Sequence, residues 1–215
     1  MMNANGKTGA AASGATPADD ALLAAREAVA PVTLAGSLAG RAADEGLLDV
    51  AYAQVDSPLG PLLAATTPRG LVRLAYVEND LDAVLDGLAR RVSPRVLEAP
   101  SRLDDVRREL EQYFAGRRRR FELAVDWALV TGFSRRVLEA TAAIAYGEVA
   151  SYREVASRAG SERATRAAGN ALGANPMPIV VPCHRVLRTG GGIGGYTGGL
   201  ERKRYLLAVE GVEAA

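Results

Sequence analysis

From Asp49 onward the chain alternates apolar and polar positions with a two-residue period, broken at intervals by turn residues. Val50 to Val55, Leu62 to Thr66 and Leu71 to Val77 read as strands, separated by Ser57-Pro58-Leu59-Gly60 and by Pro68-Arg69-Gly70. That succession predicts an antiparallel meander. Leu81, Val84, Leu85 and Leu88 then recur at helical spacing, as do Leu103, Val106, Leu110 and Phe114, and Phe121 to Val125 reads as a further strand. Beyond Trp127 the period is helical. Thr131 is a candidate N-cap for a helix from Gly132 to Ile144, with Phe133, Val137, Leu138 and Ala142 on one side. Ser151-Tyr152-Arg153-Glu154 has capping-box spacing and opens a short helix that Gly160 stops; Ser161 to Leu172 forms a second, alanine-rich helix ending at Gly173. Two short helices joined by a glycine-containing turn have the form of a helix-turn-helix, although helix pairs with no DNA role share it.

The fold class expected is therefore α+β. Residues 1–46 are dominated by Ala, Gly, Ser and Thr and read as a disordered extension with one helix-like stretch, Ala18 to Ala30. Residues 47–127 form a small antiparallel-sheet domain, and residues 128–215 a mostly helical one.

With 215 residues, 48% of them hydrophobic and 24% charged, the chain can bury a substantial core. No run is apolar for the eighteen or so residues that a membrane helix needs, and the N-terminus lacks a secretory signal, so a cytoplasmic location is expected and no membrane contact. The chain holds one cysteine and one histidine, which excludes an internal disulfide and leaves no multi-cysteine zinc site; neither metal nor cofactor is expected. The net charge of +1 is unevenly spread. Residues 1–50 carry three basic side chains against six acidic, residues 151–215 nine against five, so the C-terminal part is the better contact for a polyanion. The run Arg117-Arg118-Arg119-Arg120 could neutralise phosphates, but it follows Gly116 at a helix end, where cations suit the helix dipole and an exposed loop.

The chemistry concentrates in Ile179-Val180-Val181-Pro182-Cys183-His184-Arg185-Val186, read as a buried strand that stops at proline and presents a cysteine beside a histidine. A lone cysteine is ordinarily an inert, buried small hydrophobe, and neighbours on a strand point to opposite faces. Here the only cysteine and the only histidine coincide at an element end, flanked by Arg185. A nucleophilic cysteine needs a thiolate, which a nearby imidazole acting as base can supply.

These residues carry a resemblance. Pro182-Cys183-His184-Arg185-Val186 is similar to the active-site signature of the O6-alkylguanine-DNA alkyltransferases, the methylated-DNA-protein-cysteine methyltransferases. Tyr146-Gly147-Glu148, Ser151-Tyr152, Arg166-Ala167-Ala168-Gly169, Asn175-Pro176, Gly195-Tyr196-Thr197-Gly198-Gly199 and Glu210-Gly211 follow the family's order, and the match spans about residues 49 to 211. The N-terminal part, with Ser57-Pro58-Leu59-Gly60-Pro61 and Tyr113-Phe114-Ala115-Gly116, resembles that family's small RNase H-like domain. Ala145, Leu138 and Thr197 depart from the family's commoner residues.

The resemblance implies a single-use repair protein that moves an alkyl group from O6-alkylguanine in double-stranded DNA, with O4-alkylthymine an open alternative, and acts as a monomer. It makes Cys183 the acceptor, His184 the base acting through a water, and Glu210 the carboxylate that orients the imidazole. Tyr152 would hydrogen-bond the guanine, and Asn175 would tie the turn after the second helix to the cysteine strand. Arg166 would fill the stack left by a flipped base, with Ala167, Ala168 and Gly169 allowing close approach of DNA. Pro178, Val186, Tyr196 and Thr197 would line the base pocket, with the carbonyls of Cys183 and Val186 reading the guanine amine. Two rival readings stay open: a lesion-binding alkyltransferase-like protein without transfer activity, in which the acceptor cysteine is replaced, and a helix-turn-helix regulator with an incidental cysteine.

Overall fold

The computed structural model describes residue 41 and residues 45–76 and 80–213. The expected extension, with its helix at Ala18 to Ala30, lies almost wholly outside the described residues, and so does Val77. Three strands, β1 (Val50–Val55), β2 (Leu62–Thr67) and β3 (Gly70–Tyr76), form the antiparallel meander that the alternation predicts, with a bulge between Ala65 and Thr66. A short fourth strand, β4 (Val96–Glu98), adds to the free edge of β1 in parallel, giving the order β3-β2-β1-β4. Its three residues are too few for a periodic signal.

Both faces of this sheet are covered, which is why β2 is buried at four successive positions, Leu62 to Ala65. On one face Val50, Ala65 and Val72 pack against Leu88 of helix α1 (Leu81–Arg91) and against Leu129. Asp80 caps α1 by accepting from the Ala83 N–H at 2.9 Å. On the other face Ala53, Val55, Leu62, Leu71 and Leu74 join Leu103, Val106, Leu110 and Tyr113 in one continuous core that runs on into the C-terminal helices. Helix α2 (Asp104–Phe114) supplies Val106 and Leu110, as the helical spacing predicts, and Tyr113 rather than the expected Phe114, which is only partly buried.

The expected strand Phe121 to Val125 is corrected to an extended segment with a single parallel bridge, Leu71 to Val125. Leu71 donates to the Ala124 carbonyl at 2.8 Å and accepts from the Asp126 N–H at 2.8 Å, and among the described residues no other backbone bridge joins the segment, whose Glu122 N–H donates to the Glu109 carboxylate instead. The close approach requires Gly70: its φ is +127°, and a Cβ there would stand 2.2 Å from the Ala124 carbonyl oxygen. The arginine run divides. Arg118 is largely buried and bridges Glu109 and Glu122 at 3.4 and 3.7 Å, while Arg117, Arg119 and Arg120 are less enclosed.

Thr131 precedes helix α3 (Gly132–Ala142) in the N-cap position, without a side-chain bond to the helix. The capping box is formed in full: the Ser151 hydroxyl accepts from the Glu154 N–H, and the Glu154 carboxylate accepts from the Ser151 N–H, at the start of α4 (Tyr152–Arg158). One turn of 3-10 helix, Glu162–Ala164, leads to α5 (Thr165–Gly173), and the α4–α5 pair is the helix-turn-helix. Strand β5 (Ala150–Ser151) pairs in parallel with β6 (Val186–Leu187), fixing the start of α4 to the chain just beyond the cysteine. Helix α6 (Leu200–Val209) closes the fold. No helix among the described residues is long and apolar enough to cross a membrane.

Gly70→Ala should destabilise the protein by roughly 2–5 kcal/mol, because it adds a methyl against backbone and a strained φ. Urea unfolding measures this; a midpoint unchanged from the wild type would mean that the segment at Ala124 can move aside freely.

Candidate active site

The cysteine is placed by a turn rather than by the strand that its apolar neighbours predict. Pro176 and Pro178 have no N–H to give to a ladder. Asn175 supplies the missing bonds: its Oδ1 accepts from the Met177 N–H at 3.0 Å, and its Nδ2 donates to the Val181 carbonyl at 2.8 Å and to Cys183 Sγ at 3.2 Å. The Val181 N–H returns to the Met177 carbonyl at 2.8 Å, closing a tight turn across Pro178 and Val181. At its tip Ile179 has φ +76°, a left-handed conformation that a β-branched residue adopts only under constraint. The Ile179 side chain is fully buried, so core packing offsets the strain. Cys183, His184 and Arg185 then form one turn of 3-10 helix.

Glu210, at the C-terminal end of α6, gathers this segment. Its carboxylate accepts from His184 Nε2 at 2.9 Å, from Arg185 Nε and Nη2 at 2.8 and 2.9 Å, and from the Tyr113 hydroxyl at 2.6 Å. All four side chains are buried. Burial alone would raise the Glu210 pKa, but the hydrogen bonds from His184 and Arg185, with Tyr113, overcome it and hold the carboxyl at about 2. Burial pushes the His184 pKa down against the pull of Glu210, so the imidazole is neutral. A carboxylate can only accept, so the proton of the neutral ring sits on Nε2 and leaves Nδ1 as the basic nitrogen. Nδ1 is fully buried and has no hydrogen-bond partner among the described residues.

Cys183 is 5% exposed, and burial pushes its thiol up to about 11. The Asn175 amide, the charge of Lys203 and the N–H groups of the 3-10 turn pull the other way. Lys203 is wholly buried on α6 and donates from Nζ to the Val186 carbonyl at 2.6 Å and to that of Gly195 at 3.3 Å; burial draws its ammonium down to about 8. The sequence reading missed Lys203 because Leu200 to Tyr205 looks like a solvated helix. A signal was present: Lys203, Leu206, Leu207 and Glu210 share one i, i+3, i+4, i+7 stripe.

A cavity of about 320 Å³ opens above the sulfur, at the small end of the range for small-molecule pockets. Of the residues expected at the site, Tyr152, Gly169, Cys183, Tyr196 and Thr197 line it, with Leu172, Gly173 and Gly195. The Tyr152 hydroxyl reaches the Gly195 carbonyl at 3.4 Å, Tyr196 shares a 2.9 Å hydroxyl contact with Tyr76, and the Thr197 hydroxyl donates to the Gly173 carbonyl at 2.7 Å. Pro178 and Val186 are buried outside the lining: Pro178 belongs to the cysteine turn, and Val186 to β6. On α5, Arg166 and Ala167 are exposed, Gly169 lies against the Tyr152 ring, and Ala168 is fully buried in the core, which removes it as a DNA contact.

Residues 50–127 match the family model described as 6-O-methylguanine DNA methyltransferase, ribonuclease-like domain, and residues 132–212 match its DNA binding domain. A methylated-DNA–protein-cysteine methyltransferase of Mycolicibacterium paratuberculosis is 39% identical over 161 residues, covering 75% of this chain and 92% of that one. An inducible methylated-DNA–protein-cysteine methyltransferase of Bacillus subtilis is 36% identical over 147 residues, covering 68% and 82%. Among solved structures, Mycobacterium tuberculosis OGT in complex with DNA superposes with a TM-score of 0.64 at 37% identity, covering 75% of this chain and 93% of that one.

Because the Glu210 pKa is depressed on folding, the stability that it contributes is present above about pH 4.5 and is lost as the pH falls toward 2. Glu210→Gln leaves Arg185 buried without a counter-charge and should cost about 3–5 kcal/mol at pH 7. In urea titrations the gap between wild type and variant should close as the pH drops through that window; a gap of constant size would assign the acid sensitivity to other groups.

Proposed function

The chain belongs to the 6-O-methylguanine DNA methyltransferase family, whose members repair DNA by transferring a methyl group to a protein cysteine, and from that premise we propose that Cys183 is the acceptor and O6-alkylguanine in duplex DNA the lesion. The observation that carries the reading is the buried sequence of groups Cys183, His184 and Glu210 beneath a cavity of nucleobase size. His184 Nδ1 is the only lone pair of the imidazole left for a proton, and Cys183 Sγ bonds to Asn175 rather than to the ring, so a bridging water carries the thiol proton to it. The sulfur then attacks the alkyl carbon in line. An S–C bond forms, the C–O6 bond breaks, and its electron pair passes to the guanine, which takes up one proton to leave as the normal base. Tyr152 donates a hydrogen bond to the ring as that charge builds, and the Thr197 N–H does the same at O6. The carbonyl of Cys183 accepts from the guanine amine, while the Val186 carbonyl, outside the cavity lining, accepts from Lys203. The product is a thioether with no group at hand to cleave it, so each molecule acts once.

A guanine within the stack cannot reach a sulfur that is 5% exposed, so the base enters the cavity extrahelically. Arg166, exposed in the first turn of α5, takes the vacated place, and the small Ala167 beside it lets the duplex approach the helix.

Intact-protein mass spectrometry with peptide mapping, after mixing the protein with a duplex containing O6-methylguanine, tests the reading. One methyl group on Cys183 at one per protein, without turnover, is the expected result; tight binding with no adduct would point instead to a lesion binder without transfer activity. Arg166→Ala should slow repair of duplex DNA by roughly tenfold or more, since unstacking a base costs a few kcal/mol, and should slow reaction with free O6-benzylguanine far less. Equal losses on the two substrates would remove Arg166 from the flipping step.

A further inference from the structure

Beside the active site lies a second cavity, of about 530 Å³, between α1 and the loop that begins at Thr197; Thr197 lines both. Its wall carries Arg73 from β3, Arg91 from the last turn of α1, and Arg202 from α6. Arg73 and Arg91 also line a smaller cavity that continues toward Pro176, so both guanidinium groups stand between two openings. Neither makes an ion pair among the described residues. Arg91 gives one N–H to the Leu129 carbonyl at 2.6 Å, and the Arg73 Nε is fully buried with no hydrogen-bond partner among the described residues. Partial burial, together with the charge of the exposed Arg91, draws the Arg73 pKa down. The described carboxylate of the wall, Asp80, is engaged as the cap of α1.

A half-buried guanidinium with an enclosed, unsatisfied N–H and a like charge beside it is costly, and the chemistry that relieves both defects is an anion with several acceptor oxygens. Arginine pairs match phosphate in this way, two N–H groups to two oxygens. Arg202 links the position to the reaction site: it stacks on the Tyr76 ring at 4.3 Å, and Tyr76 meets Tyr196 of the base cavity through their hydroxyls. Gly198 is wedged in the same place, since a Cβ on it would lie 2.5 Å from the Tyr76 ring.

We propose that this cavity is an anion site that binds a phosphate group between Arg73 and Arg91, next to the pocket that receives the damaged base. The phosphate comes either from the backbone of the substrate DNA or from a free phosphate compound. The site does not rest on Cys183 being the acceptor.

Two measurements on the full chain separate these sources. In thermal unfolding, sodium phosphate should raise Tm by about 2–4 °C over sodium chloride of equal ionic strength. Arg91→Gln should abolish the rise; Arg73→Met should do so too, and Arg91→Gln carries the test if the buried change fails to fold. Arg90→Gln, which alters an exposed neighbour paired with Asp86, should keep it. In duplex binding followed against salt, a DNA phosphate in the site makes Arg91→Gln lower the slope of log K on log salt by roughly 1, with Arg90→Gln unchanged. Loss of the phosphate-specific Tm rise with an unchanged slope assigns the site to a free phosphate. The proposal is overturned if the wild type shows no phosphate-specific rise and Arg91→Gln keeps the wild-type slope, or if Arg90→Gln loses as much as Arg91→Gln.

Discussion

The buried carboxylate of Glu210 is the interaction on which the site depends. It accepts from three side chains of two separate segments, Tyr113 of α2 and the adjacent His184 and Arg185, and it does so at the point where α6 ends. A lone buried carboxylate would be expensive, and so would a lone buried guanidinium; together they form a pair whose remaining acceptor capacity is taken up by a phenol and an imidazole. That arrangement fixes the tautomer of His184, whose ring is kept neutral by burial against the pull of Glu210, and ties the sheet-bearing part of the chain to the helical part through a polar contact set inside the apolar core. The same carboxylate is therefore structural glue and the orienting group of the reaction proposed for Cys183.

Around that fixed point the cysteine is positioned by local backbone chemistry. Asn175 satisfies two backbone groups of a turn that proline keeps out of any sheet, and its amide also touches the sulfur. Ile179 is forced into a left-handed conformation, and its buried side chain holds it there. A strained tip, an amide bracket and a one-turn helix make the sulfur's position insensitive to movement elsewhere, which is what an in-line transfer demands.

Much of this was legible in the sequence, for identifiable reasons. Helices α1 to α5 announce themselves because each buries one face with the period of the helix, and strands β1 to β3 because turn residues bound their apolar runs. The capping box at Ser151 is local, and so readable. What failed was non-local. Phe121 to Val125 has strand composition but only Leu71 to pair with, and Ile179 to Val181 has the apolar run of a strand but proline on either side of it. Lys203 was overlooked because charge was taken to mean exposure, although its place on the Leu206–Leu207 stripe put it inside. Ala168 was grouped with its exposed neighbour Ala167, although helical geometry turns successive residues by about 100°. Cys183, His184 and Glu210 were named together from resemblance; the hydrogen bond of His184 to Glu210 and that of Asn175 to the sulfur could come only from the fold.

A thiol raised to about 11 is a poor resting nucleophile, and the proposed chemistry gives that a use. Ionising it at pH 7 costs about 5 kcal/mol, four decades of population, which an enzyme with rapid turnover would spend in every cycle. A protein that reacts once spends it once. Between encounters the sulfur stays protonated and covered, shielded from oxidants and incidental electrophiles that consume exposed thiolates. The groups that lower the cost are already in place: the Asn175 amide, the Lys203 charge, the backbone N–H groups of the 3-10 turn and the open Nδ1 of His184. Selectivity then comes from access, since only a base that leaves the duplex and fills the cavity brings an alkyl carbon within reach of the sulfur.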